Sequence, residues 1–249
     1  MYPISERYYP RLAAAYARGL ALNALANGGV VRSLDEEVDQ TAFSLPAELL
    51  EPALDDLGPA EIERILELGE AAQLKFYRFK NTRDQLPRVR AILGRLRGEA
   101  FESFLEIGAG RGVFLWVFLD AFPGVQTTAV DLLPHWGEFY ETVRAGGVSN
   151  LNGYTGEFEK AGFAERSFDV VSLLEVLEHI PDYDAAVQAA VRLARRLVVV
   201  TVPSQPDDNP HHLRLFTQEM LETSFRNAGV TRLKFDDVRG IRVLFASVD

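Results

Sequence analysis

At 249 residues, 47% apolar and 25% charged, the chain has the make-up of a globular protein long enough to bury its own core, as one large domain or a medium domain with an appendage. It contains no cysteine, which excludes disulfides, thiolate metal ligands and a cysteine nucleophile. A net charge of −10 argues against a general nucleic-acid binder, because phosphate neutralisation needs clustered Lys and Arg.

The N-terminus, MYPISERYYPRLAAAY, lacks the basic start and unbroken apolar run of a signal peptide. No stretch approaches the roughly 18 apolar residues of a membrane span, so the expected compartment is the cytoplasm. Up to about Gly98 the signals are helical. Residues 9–25 place Leu12, Tyr16 and Leu20 on one face and end at Asn27-Gly28-Gly29. A short helix is expected after Pro46, stopping near Gly58. From Pro59 a helix is expected to carry Ile62, Ile65, Leu66, Ala72, Phe76 and Phe79 on one stripe, and another spans about Asp84 to Arg97. Residues 75–97 hold Lys75, Arg78, Lys80, Arg83, Arg88, Arg90, Arg95 and Arg97 against Asp84 alone. Such a run is a solvated face, or a field for an anionic substrate.

From Phe101 the texture changes. Residues 101–107, 127–130, 150–155, 168–174 and 197–202 read as strands, with helices over 113–121, 136–145 and 184–195 between them. That alternation implies a parallel, doubly wound sheet. The last two apolar runs, 230–235 and 241–248, are too close for a crossover helix and form an antiparallel hairpin at its edge.

At the first strand-to-helix junction stands Phe104-Leu105-Glu106-Ile107-Gly108-Ala109-Gly110-Arg111-Gly112. Glycines there allow a tight turn and let the backbone approach a ligand. A dinucleotide fingerprint would need a small residue at position 113, which is Val113, and the Glu106 carboxylate would repel a pyrophosphate but suit an ammonium group. Asp131, at the end of the next strand, is placed to accept from ribose hydroxyls, or else caps a helix. Gly156-Glu157-Phe158 follows the third strand, where Glu157 suits an adenine amino group, or else lies in a surface turn.

On these residues, together with Phe168-Asp169-Val170-Val171-Ser172-Leu173-Leu174-Glu175, the region from about 100 to 249 resembles the class I S-adenosylmethionine-dependent methyltransferases. The resemblance implies a Rossmann-like, seven-stranded, mostly parallel sheet with an antiparallel C-terminal hairpin. It implies S-adenosylmethionine as cofactor, held by Glu106, Gly108, Ala109, Gly110, Asp131, Leu132, Glu157, Phe158 and Leu174. Residues 1–98 are then expected to form an N-terminal helical cap on a catalytic domain of residues 99–249. Tyr8, Tyr9 and Tyr16 are candidates for an acceptor wall, with a core role open for Tyr16.

On the acceptor side, Glu175-Val176-Leu177-Glu178-His179 puts two carboxylates and an imidazole at i, i+3 and i+4, on one turn if helical. His212 follows the fifth strand at the same rim. Glu175, Glu178, His179 and His212 make an oxygen and nitrogen set suited to a divalent cation such as Mg²⁺, Mn²⁺ or Zn²⁺. The pattern resembles the small-RNA 2′-O-methyltransferases and the ubiquinone-biosynthesis O-methyltransferases, which carry Glu-Xaa-Xaa-Glu-His. This chain lacks the Asp-His and Phe-Glu-Trp-Thr surroundings of the RNA enzymes. The competing reading has no metal: Glu178 is structural, and His179 is the general base, with His211 or His212 second. His135 is expected to be exposed near a helix start, and Trp136 to cover part of the cofactor pocket.

The sequence thus points to methyl transfer onto a small molecule, most simply onto a hydroxyl. An amine or amino-sugar acceptor, an RNA terminus and a non-catalytic cofactor-binding role stay open beside it.

Overall fold

The computed structural model describes residues 3–26 and 43–248, so the expected stop at Asn27-Gly28-Gly29 lies outside the described residues. Strands β1 (Ser103–Ile107), β2 (Gln126–Asp131), β3 (Leu151–Thr155), β4 (Phe168–Leu174), β5 (Ala194–Pro203), β6 (Arg232–Val238) and β7 (Ile241–Ser247) form one sheet in the order β3-β2-β1-β4-β5-β7-β6. β1 pairs in parallel with β2 and β4, and β4 with β5, while β7 runs antiparallel to both β5 and β6. The strand order reverses between β1 and β4. Parallel α/β sheets take their ligands at the carboxyl ends of the strands beside such a reversal.

The helices are α1 (Pro10–Ala26), α2 (Ala47–Leu50), α3 (Pro59–Ala71), α4 (Pro87–Leu96), α5 (Leu115–Ala121), α6 (Pro134–Ala145), α7 (Tyr183–Leu193) and α8 (Gln218–Asn227). Among the described residues no helix is long and apolar enough to cross a membrane.

Packing divides the chain into two compact units. One holds the described residues of Met1–Asp84 with Gly110–Pro123 and Leu133–Gly153; the other holds Gln85–Ala109, Gly124–Leu132 and Tyr154–Asp249. In the first, α1 is buried along most of its length and is rich in small residues, Ala13, Ala14, Ala15, Ala17, Gly19 and Ala21 among them. This lets α1 and α6 meet backbone to backbone. A Cβ at Gly19 would stand 1.8 Å from the Thr142 carbonyl oxygen, and one at Gly146 only 1.7 Å from that of Ala15. Beside this crossing Tyr16, Phe79, Trp116 and Phe139 form an aromatic cluster with ring centroids 4.8–5.7 Å apart. Tyr16 is therefore a core residue. The Tyr9 hydroxyl donates to the Asn81 carbonyl, and that of Tyr8 faces Glu70.

The second unit is built on the sheet. Leu105, Val171, Leu173, Val198 and Val200 of the central strands bury against Val187 and Ala190 of α7 and Leu221 and Phe225 of α8. At the amino end of the strands, Asp169 Oδ2 accepts from the Glu102 and Ser103 N–H groups and the Ser103 hydroxyl, and Oδ1 accepts from Arg195. Burial works to raise the pKa of this carboxyl, but those hydrogen bonds outweigh it and hold the pKa below the ordinary aspartate value.

Three expectations need correction. The helix from Pro59 stops at Ala71 instead of running to Phe79. Gln73 takes φ 63°, its N–H bonds the Glu70 carbonyl and that of Leu74 bonds Gly69: a Schellman stop with glutamine where glycine is usual. Phe76–Phe79 then forms a 3₁₀ turn. The helix expected over Asp84 to Arg97 begins only at Pro87, after a 3₁₀ turn over Asn81–Gln85. Helix α8 was not expected. Its signals are the Thr217 cap, whose hydroxyl accepts from the Met220 N–H, and Gly229 at φ 89°.

The α1–α6 crossing gives a paired prediction. Gly19→Ala will destabilise the protein by more than about 2 kcal/mol, since backbone cannot retreat from the added methyl. Gly94→Ala on α4, where no atom lies within 4 Å of the new Cβ, will stabilise it by about 0.5–1 kcal/mol. Thermal unfolding of the two variants checks this; equal shifts would refute the close crossing.

Candidate active site

The carboxyl end of β1 runs into the glycine turn. Gly108, Gly110 and Gly112 have φ of 68°, 52° and 75°, a region that costs residues with a Cβ. The Gly108 N–H, and that of Ala109, both donate to the Val130 carbonyl, which fixes the start of the turn against β2. A Cβ at Gly108 would lie 2.6 Å from Val176 Cγ2, so glycine is also required for space. The boundary between the compact units falls inside this turn, between Ala109 and Gly110.

Glu106 is 3% exposed, and its Oε2 has no hydrogen-bond partner among the described residues. Burial pushes its pKa up to about 8. A buried carboxyl with an unmet oxygen beside a cradle of glycines fits a ligand that brings a cationic donor. Asp131 ends β2 half-buried, and its carbonyl accepts from the Gly156 N–H, which ties the turn after β3 to β2. Leu132 is exposed, Leu174 is half-buried at the end of β4, and Phe158 is buried in the core of this unit. Glu157 lies on the surface, 2.7 Å from Lys160 Nζ. His135 is exposed against Trp136, and Trp136 packs edge-on to Phe139 with the Arg78 guanidinium over its ring.

After β4 the chain does not continue as a helix. Glu175 has φ 60°, its N–H donates to the Thr201 carbonyl, and a 3₁₀ turn follows over Leu177–His179. Glu175 is therefore off the turn that carries Glu178 and His179, contrary to the spacing argument. Its Oε2 lies 3.9 Å from Arg88, while its Oε1 is buried without a hydrogen-bond partner among the described residues. The other three residues do converge. Glu178, His179 and His212 each offer a ligand atom, all within 4.8 Å of one another.

The segment after β5 is responsible for this. The Leu213 N–H donates to the Glu178 carbonyl, Arg214 donates to the Ile180 and Pro181 carbonyls, and His179 Nδ1 bonds the His211 carbonyl. A carbonyl only accepts, so His179 carries its proton on Nδ1 and presents the Nε2 lone pair. His212 Nδ1 stands 2.8 Å from Asp207, and its Nε2 stands 3.0 Å from the Asn209 amide nitrogen. Glu178 is fully buried, and among the described residues no other residue donates a hydrogen bond to either of its oxygens. Burial pushes its pKa up to about 8, with its own backbone N–H opposing and Glu175 and Asp207 adding to the rise.

Asp207 and Asn209 were missed from the sequence. Their signal was proximity to His211-His212 in a loop rich in Asp, Asn and Pro, where Asx turns orient imidazoles.

Comparison with known proteins places these features. The family described as "Methyltransferase domain" matches residues 76–248. No curated protein matches the sequence. Among solved structures the chain is similar to a SAM-dependent methyltransferase from Aquifex aeolicus, with TM-score 0.57 and 15% identity, covering 68% of this chain and 94% of that one. It is similar to an O-methyltransferase family protein from Burkholderia thailandensis, with TM-score 0.55 and 14% identity, over 92% of this chain and 82% of that one. Magnesium protoporphyrin IX methyltransferase from Synechocystis with bound SAH is a third, at TM-score 0.52 and 16% identity, over 65% of this chain and 82% of that one.

The state of Glu106 yields a signed prediction. Below about pH 8 the ligand-free carboxyl is protonated; if the cofactor's ammonium group binds there, it stabilises the carboxylate and binding releases a proton. Affinity for S-adenosylhomocysteine is expected to fall about tenfold per unit as pH drops below 8. Calorimetry in buffers of different ionisation enthalpy measures the released proton. Glu106→Gln abolishes the release and weakens binding at pH 8 roughly 10–100-fold; a pH-independent wild-type affinity would contradict this role.

Proposed function

The chain belongs to the methyltransferase domain family, and we propose that it transfers the methyl group of S-adenosylmethionine to a hydroxyl of a small molecule. The observation that carries the reading is the juxtaposition of Glu178, His179 and His212 beyond the carboxyl end of β4, next to the strand that ends in Glu106 and the glycine turn. When bound, the cofactor supplies a methyl group on a cationic sulfur whose departure is already favoured. The protein's own contribution is then alignment and removal of the acceptor proton.

In this reading Glu106 binds the ammonium end of the cofactor, Asp131 the ribose, and the Gly108–Gly112 backbone approaches the ligand between them. Leu132, Glu157, Phe158 and Leu174 border the adenosine. On the acceptor side, with no cation bound, His179 Nε2 receives the hydroxyl proton, being the imidazole nitrogen not tied to backbone. Residues 1–98, most of which precede the match to the family, serve acceptor selection.

The same three residues fit a divalent cation. Two imidazoles and one buried carboxylate suit Zn²⁺ or Mn²⁺ better than Mg²⁺, which prefers an all-oxygen set. A cation would satisfy both unmet oxygens of Glu178 and, when bound, would lower the pKa of an acceptor hydroxyl. Glu175 lies outside this ligand set and faces Arg88 instead.

Chelation tests the assignment. Exhaustive removal of divalent ions is expected to abolish methyl transfer in a hydroxyl-substrate panel, with restoration by Zn²⁺ or Mn²⁺ and cofactor affinity changed less than about twofold. Glu178→Gln is expected to lower turnover by roughly 100-fold. Activity that survives chelation but is lost in His179→Asn would leave a metal-free base. Methylation confined to amines would overturn the hydroxyl acceptor, and the acidic rim of Glu175, Glu178 and Asp207 would then bind the protonated amine.

A further inference from the structure

Three consecutive carbonyls of the glycine turn are captured by side chains from three separate segments of the same compact unit. The Tyr140 hydroxyl on α6 donates to the Gly110 carbonyl at 2.7 Å. The Trp116 indole N–H on α5 donates to the Arg111 carbonyl at 2.9 Å. Arg83 Nη1, from the 3₁₀ turn ahead of α4, donates to the Gly112 carbonyl at 3.1 Å and to that of Arg111 at 3.4 Å. All of these residues lie in the helical unit.

In a trans peptide the C=O and the following N–H point in opposite directions. Fixing the carbonyls of 110, 111 and 112 therefore fixes the N–H groups of Arg111, Gly112 and Val113, each pointing away from the side chain that holds its peptide. The arrangement is built at some expense. Tyr140 and Trp116 are fully buried, and Gly112 admits no side chain, because a Cβ would lie 2.1 Å from Trp116 Nε1. Arg83 is a half-buried cation whose pKa is lowered to about 10 by burial and then by the neighbouring Arg111 charge, and its Nη2 reaches a further carbonyl at Tyr77.

We propose that Arg83, Trp116 and Tyr140 are positioning residues that clamp the carbonyls of the glycine turn, so that its N–H groups stand preorganised for the cofactor. The clamp rests on the reading of this turn as the S-adenosylmethionine site. It gives Arg83, from the basic run ahead of the sheet, a function in cofactor affinity. Its effect is on the free turn: without the clamp the turn samples other φ, ψ values, and binding must first restore the competent one.

The test uses the full chain with S-adenosylhomocysteine as probe. Tyr140→Phe removes a single hydroxyl and keeps the ring; Arg83→Met removes the cation at similar length; Arg83→Lys keeps the charge but loses the planar fork. Tyr140→Phe is expected to raise the Kd about 3–10-fold and Arg83→Met at least as much, with partial rescue by Arg83→Lys. The cofactor KM should rise in parallel while kcat at saturating cofactor stays within about twofold. Amide exchange in the ligand-free protein should quicken at residues 110–113 and not elsewhere in the unit. Wild-type affinity and exchange in Tyr140→Phe and Arg83→Lys would overturn the clamp. A loss of affinity that merely follows a lowered Tm, with exchange raised throughout the unit, would overturn it as well. Failure of the wild-type protein to bind S-adenosylhomocysteine would instead overturn the cofactor assignment.

Discussion

The site depends on one constraint: a carboxyl group buried at the end of a central strand, one of whose oxygens has no partner among the described residues. The same strand pair shows the contrast. At the amino end of β1 and β4, Asp169 is closed off by the Glu102 and Ser103 N–H groups, the Ser103 hydroxyl and Arg195, and its pKa is lowered. At the carboxyl end Glu106 is more deeply buried, lacks a partner for Oε2 among the described residues, and its pKa is pushed up to about 8. One end of the sheet is closed by the chain itself, and the other leaves a buried carboxyl oxygen unmet among the described residues. Leaving a buried polar atom unmet costs on the order of 1–3 kcal/mol, an expense that folding alone gives no reason to retain.

A second consequence follows from the strand order. Because β1 and β4 are neighbours, the turns that follow them must pack on each other. They meet where Val176 fills the space a side chain at Gly108 would need. Val176 sits between Glu175 and the turn bearing Glu178 and His179. Gly108 thus also seats the segment that leads to Glu178 and His179. A change at position 108 would disturb both turns, even without touching either of those residues.

Much of this was legible in the sequence, and the parts that were not share a cause. The strands stood out because a sheet covered on both faces needs continuous apolar runs, as in Val170, Val171 and Leu173. Glu106 and the glycines stood out because their spacing has few other uses. The end of α3 was hidden because Gln73 adopts a conformation normally marked by glycine. The position of Glu175 was hidden because i, i+3, i+4 spacing places side chains together only if the backbone is helical, and at φ 60° it is not. The basic run proved to be several separate contacts. Arg78 lies over aromatic rings, Arg83 on turn carbonyls, Arg88 near Glu175 and Arg95 on Glu99. Composition reveals a surplus of charge, but only tertiary packing assigns each charge a partner.

The convergence of His179 and His212 is likewise tertiary, and it bears on what the pair can do. Both imidazoles have Nδ1 engaged, His179 by the His211 carbonyl and His212 by the Asp207 carboxylate, so both direct their chemistry through Nε2. A carboxylate behind an imidazole fixes its tautomer and ring orientation, the arrangement typical of histidines that ligate metals or accept protons. The two nitrogens nonetheless differ. His212 Nε2 already lies 3.0 Å from the Asn209 amide, whereas His179 is exposed. A proton acceptor working alone would therefore be His179. A cation would also recruit His212, at the cost of the Asn209 contact, and would gain in return the fully buried and unmet Glu178. What distinguishes the two modes in this chain is thus Glu178: as a neutral acid it serves the pocket's packing, and as a carboxylate it requires a positive charge beside it.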